Sequence, residues 1–203
     1  PDERSIRDNA EQLIDILSAG QIPGIGGFYV KDRQESITTL GFEGSDYTAS
    51  LLGAAVQAEE VEIWTDVSGV YTSDPRYISN ARPIQALSYA EATEMAYYGA
   101  KVLHPSTLKP LKKINIPLRV KNMFEPDEPG TRISNTPSDA KGMLAISFSA
   151  DIAMVTANAP ETVMGYSFLR MVFETLEEAA LPVEVVTTTE ASVSICIPMS
   201  EDV

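Results

Sequence analysis

Apolar positions recur along this chain on two periods, and the periods alternate. From Ser5 to Ala19, Ile6, Leu13, Ile14 and Leu17 stand at helix-like spacing, and Gly20 can stop the helix. Ile22 to Val30 is apolar with several glycines and reads as a buried strand leading to a ligand loop. Lys31 to Ser36 reads as a polar loop. Asp46 to Gln57 reads as helix and Val61 to Thr65 as strand. Ser88-Tyr89-Ala90-Glu91 is a capping box, in which serine oxygen and glutamate satisfy opposite N–H groups. It opens a helix to about Tyr98, closed by Gly99. Pro105 suits the start of a second helix to Lys113. Pro117 to Met123 reads as strand. Strands alternating with helices predict a mainly parallel, covered sheet.

The pattern changes after that strand. Asn122 to Asp139 is rich in Pro, Asp, Ser and Thr and reads as a linker. Beyond it the spacing predicts a strand (Ile152 to Asn158), a helix (Ser167 to Ala179) and two strands (Val183 to Thr187, Ser192 to Ile197). This βαββ order leaves a face or an edge that something must cover.

Composition narrows the function classes. Hydrophobic residues make up 44% of 203, enough for a packed core. The formal charge is −14. The basic residues Lys109, Lys112 and Lys113 are the nearest thing to a cluster, so nucleic-acid binding is not expected. A lone cysteine, Cys196, excludes an internal disulfide and reads as a reduced packing thiol among Val193, Ile195 and Ile197. No stretch approaches the ~20 apolar residues of a membrane span, and no signal peptide precedes the first helix. These points together predict a cytoplasmic protein. His104 is the one histidine, which argues against histidine triads and multi-histidine metal sites. It reads as a helix-entry residue, and Trp64 reads as core.

Candidate chemistry begins in the run Thr38-Thr39-Leu40-Gly41-Phe42-Glu43-Gly44-Ser45-Asp46-Tyr47-Thr48-Ala49. Hydroxyl residues lead into a glycine-bearing turn and then a helix. Such a turn lets backbone approach a ligand, and a helix start offers free N–H groups to an anion. An acid at that place can stabilise the helix, bind a cation or take a proton.

This run resembles the aspartate-binding segment of aspartokinases, which usually reads Thr-Thr-Leu-Gly-Arg-Gly-Gly-Ser-Asp-Tyr-Thr-Ala. Three more blocks follow in family order. They are Trp64 to Arg76, Tyr98 to Pro105, and Val120-Lys121-Asn122 with Pro129-Gly130-Thr131. The tail from Val183 to Ser194 looks like the first part of the family's regulatory ACT region. The resemblance covers nearly the whole chain from about Ile22. It implies a three-layer α/β amino-acid-kinase fold (partial), followed by a partial ACT ferredoxin-like α+β unit. The expected boundaries are 1–133 for the nucleotide-binding part of the kinase domain, 134–142 for a linker and 143–203 for the ACT part. Nothing matches the Lys-Phe-Gly-Gly-Thr-Ser loop with which aspartokinases begin. The chain is therefore expected to be an internal piece, inactive by itself.

The activity implied is transfer of the γ-phosphate of Mg-ATP to the β-carboxylate of L-aspartate, with ATP and Mg²⁺ required. Phosphoryl transfer asks of the protein mainly positioning and charge neutralisation. The resemblance makes Asp46 catalytic and Thr38, Gly44 and Ser45 substrate contacts. It makes Thr65, Asp66, Tyr71, Arg76, Lys101 and Val102 nucleotide contacts. No protein metal ligand is implied, since the metal comes with ATP. In the tail it implies an effector site of Thr162, Gly165, Phe168, Leu169, Glu184, Thr189 and Glu190. The favoured effector is lysine, with threonine the other candidate, and the ACT unit implies a homo-oligomer. Phe42 departs from the family's arginine, which pairs with a substrate carboxylate. Glu43 beside it adds negative charge where an acidic amino acid should bind. Two other readings stay open. One is a different carboxylate or carbamate kinase of the same fold, such as acetylglutamate kinase. The other is an amino-acid-sensing regulatory protein whose kinase half no longer works.

Overall fold

The computed structural model of the protein describes residues 3–31, 36–41, 43–97, 102–136, 143–149, 152–159, 165–189 and 192–199. Phe42, Lys101, Thr162 and Glu190 lie outside the described residues. The chain forms two compact units that divide between Phe148 and Ser149.

In the first unit, α1 (Glu3–Ser18) is followed by a short antiparallel pair, β1 (Tyr29–Lys31) and β2 (Ile37–Thr39). Then come α2 (Gly44–Ala55), β3 (Val61–Thr65), β4 (Ala86–Ser88), α3 (Tyr89–Tyr97), α4 (Pro105–Ile114), β5 (Leu118–Asn122) and β6 (Thr131–Ser134). The main sheet has the order β3-β5-β6-β4. β3 pairs parallel with β5, and β4 with β6, but β5 and β6 are antiparallel. The sheet is thus mixed, where alternation predicted it mainly parallel. The turn between β5 and β6 is short enough to send the chain straight back, with no helix to carry it over.

The period-2 pattern explains the layering. Val61 and Ile63 of β3, Leu118 and Val120 of β5 and Ile133 of β6 are buried and meet Leu108 and Leu111 of α4 in one core. Each such side chain contributes about 1.5–3 kcal/mol by leaving water. The capping box forms as written. Ser88 N–H donates to Glu91 Oε2 (2.6 Å), and Glu91 N–H donates to Ser88 Oγ (3.1 Å). His104 caps α4, its Nδ1 accepting from Ser106 N–H at 3.1 Å. Buried Tyr89 donates its hydroxyl to the Ile116 carbonyl, and burial pushes the phenol up to about 12.

Four further expectations about the first unit need correction. Ile22 to Val30 is not a buried strand: Ile22 is 95% exposed and the extended part starts only at Tyr29. Pro23, Gly24, Gly26 and Gly27 deny that stretch strand propensity, whatever its hydropathy. Trp64 is not core. On β3 it points away from Val61 and Ile63, 45% exposed, with Lys121 Nζ 4.6 Å over its ring. The supposed linker holds β6, where Thr131 and Ile133 are fully buried. Finally, residues 144–148 belong to the first unit, so the division comes later than 134–142. Ile146 N–H donates to the Thr72 carbonyl (2.9 Å), Ser73 Oγ donates to the Ile146 carbonyl (3.1 Å), and Leu144 and Ala145 pack on the core.

The second unit is β7 (Ile152–Asn158), α5 (Tyr166–Glu178), β8 (Val185–Thr188) and β9 (Ser192–Pro198). Its antiparallel sheet has the order β7-β9-β8. Phe168 of α5 packs on Val193, Ile195 and Ile197. Cys196 is free but sits on the opposite face of β9, half-buried, in register with Met154 and Val185. One residue's difference in register parity separates it from the apolar row it was expected to join.

Candidate functional site

The carboxyl end of β3 opens into a loop built around a single buried hydroxyl. Val70 N–H donates to Thr131 Oγ1 (2.8 Å), and that hydroxyl donates to the Ile84 carbonyl (2.6 Å). Thr131 is fully buried, so both partners depend on it. Ile84 N–H in turn donates to the Val70 carbonyl (2.8 Å). The close approach needs glycine on both sides of the contact. Gly69 has φ +101°, and a Cβ there would lie 2.4 Å from Thr131 Oγ1. Gly130 has φ +65°, and a Cβ there would lie 2.0 Å from the Val120 carbonyl oxygen. A second anchor is half-exposed to buried: Asn122 Nδ2 donates to Ser68 Oγ (2.9 Å) and to Glu125 Oε2 (3.1 Å), while Ser68 Oγ donates to Glu125 Oε2 (2.7 Å). The blocks ending in Asn122 and Thr131 thus hold the loop that starts at Asp66.

This loop walls a pocket of about 370 Å³. That volume suits a small organic ligand. Five of the six expected nucleotide contacts line it: Thr65, Asp66, Tyr71, Arg76 and Val102. The sixth, Lys101, lies outside the described residues. Thr65 Oγ1 donates to Asp66 Oδ1 at 3.1 Å, which turns both polar groups to one side of the strand end. The apolar lining includes Val67, Val70, Met95 and Ile146, and an aromatic edge comes from Phe148. The Phe148 ring meets Tyr77 edge-to-face with centroids 4.8 Å apart. Among the described residues that line the pocket, Arg76 is the only cation. It forms an ion pair with Asp74 at 2.7 Å, and its hydrogen bonds hold the Asp74 carboxyl below its ordinary value. Sequence reading missed Met95, Ile146, Ser147 and Phe148 as lining residues. Ser73, Asp74 and Pro75 stood inside a quoted block, but the alternation of Leu144 to Phe148 carries no sign of a ligand.

The catalytic and substrate candidates form a different group, and none of them lines that pocket. Thr38 is on β2, exposed and paired with Val30. Gly44, buried, opens α2, with Ser45 and Asp46 in its first turn. Ser45 Oγ donates to Asp46 Oδ1 at 3.4 Å. The residue before β1 backs this turn: Phe28 N–H donates to Thr48 Oγ1 (3.2 Å), and Thr48 Oγ1 donates to the Gly44 carbonyl (2.9 Å). Burial raises the Asp46 carboxyl above its ordinary value, with the Ser45 hydrogen bond pulling the other way.

Glu43 precedes α2 at φ 55°, ψ 28°, a left-handed conformation. The family run has glycine there. Burial and then the Asp46 charge raise the Glu43 carboxyl, while a hydrogen bond from the His104 backbone lowers it. Its Oε2 is buried without a partner. The Asp46 side shows no matching effect of Glu43. The Asp46 charge thus adds to burial in disfavouring the ionised form of Glu43.

In the second unit the effector candidates separate by role. Phe168 is core and Leu169 packs beside it. Gly165 precedes α5 and its carbonyl accepts from Phe168 N–H at 3.1 Å. Glu184 is exposed, with its N–H bonded to the Cys196 carbonyl (2.9 Å). Thr189 lies at the turn before β9, its Oγ1 2.7 Å from Ser192 Oγ. Thr162 and Glu190 lie outside the described residues.

Residues 2–122 match the amino acid kinase family, which extends the likeness ahead of Ile22. Aspartokinase 3, chloroplastic, of Arabidopsis thaliana is 39% identical over 191 residues, 93% of this chain and 34% of that protein. Lysine-sensitive aspartokinase 3 of Escherichia coli is 38% identical over 188 residues, 93% of this chain and 42% of that protein. The crystal structure of E. coli aspartokinase III in complex with aspartate and ADP superposes with a TM-score of 0.78 at 36% identity, over 98% of this chain and 45% of that one. The chain thus spans less than half the length of these relatives. With more than half its residues inside the family's match, it belongs to the amino acid kinase family, and over nearly its whole length it is similar in sequence and fold to part of these aspartokinases.

Proposed function

We propose that the protein carrying this chain is an aspartate kinase, transferring the γ-phosphate of ATP to the β-carboxylate of L-aspartate. The observation that carries this reading is the gathering of Thr65, Asp66, Tyr71, Arg76 and Val102 around one pocket at the end of β3. That is where an open α/β sheet binds ligands. A solved relative similar over nearly the whole chain binds aspartate and ADP. In this reading the pocket takes the nucleotide, with Tyr71 beside the base or ribose, and Arg76 and Lys101 toward the phosphates. Mg²⁺ arrives on the phosphate oxygens, which supply ligands that the pocket does not need to provide. Asp46 organises transfer, and Thr38, Gly44 and Ser45 hold aspartate. The acceptor carboxylate is already ionised near neutral pH, so no strong base is required.

The second unit would be the beginning of an ACT regulatory domain, with 1–148 the nucleotide-binding part of the kinase. Its open sheet face exposes Met154 (69%) and Val185 (43%), which a second copy would cover. Lysine is the favoured effector, since a relative is named for lysine sensitivity and Glu184 and Glu190 suit a cationic side chain. Threonine is the alternative. One observation favours a second reading, a sensing protein with a disabled kinase half. Glu43 places an extra carboxyl next to Asp46, where an acidic substrate would bind.

Aspartate-dependent ADP release by the full-length protein tests the proposal. Turnover supports the kinase. Binding of lysine without turnover supports the sensor, and neither one supports another carboxylate kinase of this fold.

A further inference from the structure

Arg76 is far more exposed than its geometry is loose. Its side chain is 74% exposed, yet Nε lies 3.1 Å from both Asp74 carboxylate oxygens and Nη2 lies 2.7 Å from Oδ2. The same carboxylate also accepts the Arg76 backbone N–H at 2.9 Å. The Asp74 carbonyl accepts from Tyr77 N–H (3.1 Å) and Ile78 N–H (2.9 Å). One residue therefore sets both the turn from 74 to 78 and the direction of the guanidinium. The guanidinium carbon lies 5.9 Å from the centre of the Tyr77 ring, and that ring braces Phe148 in the pocket wall.

We propose that Asp74 is a positioning residue for Arg76, holding its guanidinium at the pocket with one hydrogen-bonding edge turned outward for a phosphate. The proposal rests on the nucleotide reading of the pocket. Its basis is donor arithmetic. A guanidinium has five N–H groups in a planar fork. Asp74 takes the edge made by Nε and one N–H of Nη2. The opposite edge, made by Nη1 and the other N–H of Nη2, remains, and among the described residues Nη1 has no hydrogen-bond partner. Two parallel N–H groups are what bidentate recognition of a phosphate uses. An unrestrained arginine would lose much side-chain freedom on meeting the ligand, whereas this one is ordered beforehand. Asp74 also repels a phosphate. That repulsion acts across open solvent and is screened, so the ordering effect dominates.

The test compares MgATP and adenosine binding by calorimetry in the full-length protein. Asp74→Asn keeps an oxygen for the Arg76 backbone N–H but cannot accept on both oxygens. It should weaken MgATP by about three- to tenfold and leave adenosine affinity unchanged. In an Arg76→Ala background, Asp74→Asn should cause no further loss of MgATP affinity. Four results overturn the proposal: MgATP bound as tightly as by wild type, or tighter; an equal loss for adenosine; or the same loss with Arg76 already removed. Binding of neither ligand by wild type overturns the nucleotide reading itself, and this inference with it.

Discussion

The loop after β3 and the turn before α2 are both motif segments, but the fold treats them differently. The first is tied into the core by Thr131, which serves Val70 and Ile84 while fully buried. Gly69 and Gly130 let the backbones close around it. The second rests on a three-residue strand pair whose β2 residues are exposed, and on the Thr48 hydroxyl, which bonds the Phe28 N–H and the Gly44 carbonyl. It also carries a left-handed Glu43 with a buried, unpartnered oxygen. The pocket at the end of β3 is complete within one sheet edge. The turn before α2 draws on segments that this sheet alone does not brace.

The contrast can be broken most strongly at Gly130. Gly130→Ala forces a Cβ into the Val120 carbonyl at a positive φ. Neither backbone can yield cheaply, and the expected loss is roughly 4 kcal/mol or more. Urea denaturation should show a lower midpoint at unchanged slope, and a midpoint within error of wild type would mean that β5 and β6 do not pack as described. Next is Thr131→Val. It keeps the shape but leaves the Val70 N–H and Ile84 carbonyl unmatched, costing about 2–4 kcal/mol, with MgATP affinity falling as the loop loosens. Full ATP affinity in that variant would show that the pocket wall does not need its anchor.

At the α2 turn the larger effect should be on turnover. On the kinase reading, Asp46→Asn in the full-length protein should lower kcat by at least about a hundredfold with little change in KM for ATP, as for an interaction made in the transition state. A kcat within a few-fold of wild type would make Asp46 a helix-start residue only. The smallest expected effect is at Glu43. Asparagine tolerates the left-handed region better, so Glu43→Asn should stabilise by about 1 kcal/mol. The gain should depend on pH. A carboxyl whose folded-state value is raised contributes stability that is fully present below its ordinary 4.5 and is lost as pH rises through the raised value. The variant should therefore gain more at neutral pH than below 4.5 in thermal melts. An equal gain at both would leave backbone strain as the whole cause.

Much of this was legible in the sequence for local reasons. The capping box around Ser88, the helix entry at His104-Pro105 and the βαββ order of the second unit depend on neighbours three or four residues away, or on period alone. The candidate nucleotide residues were legible as blocks. Their meeting place was not, because Thr65, Arg76 and Val102 converge only when β3, its loop and the segment leading into α4 are packed together. Phe148 joins them from 144–148, a stretch whose alternation says nothing about a ligand.

Residue chemistry and local periodicity thus determined the helices, most strands, the family blocks and the departures at Phe42 and Glu43. Tertiary structure decided the rest, through contacts that no local pattern encodes. It put β6 inside an apparent linker, because Thr131 and Ile133 gain burial only once β5 and β4 flank them. It turned Trp64 outward, because the parity of β3 is set by Val61 and Ile63 against the helices. It made glycine obligatory at 130, because a carbonyl from β5, ten residues back in the chain, occupies the space a side chain would need.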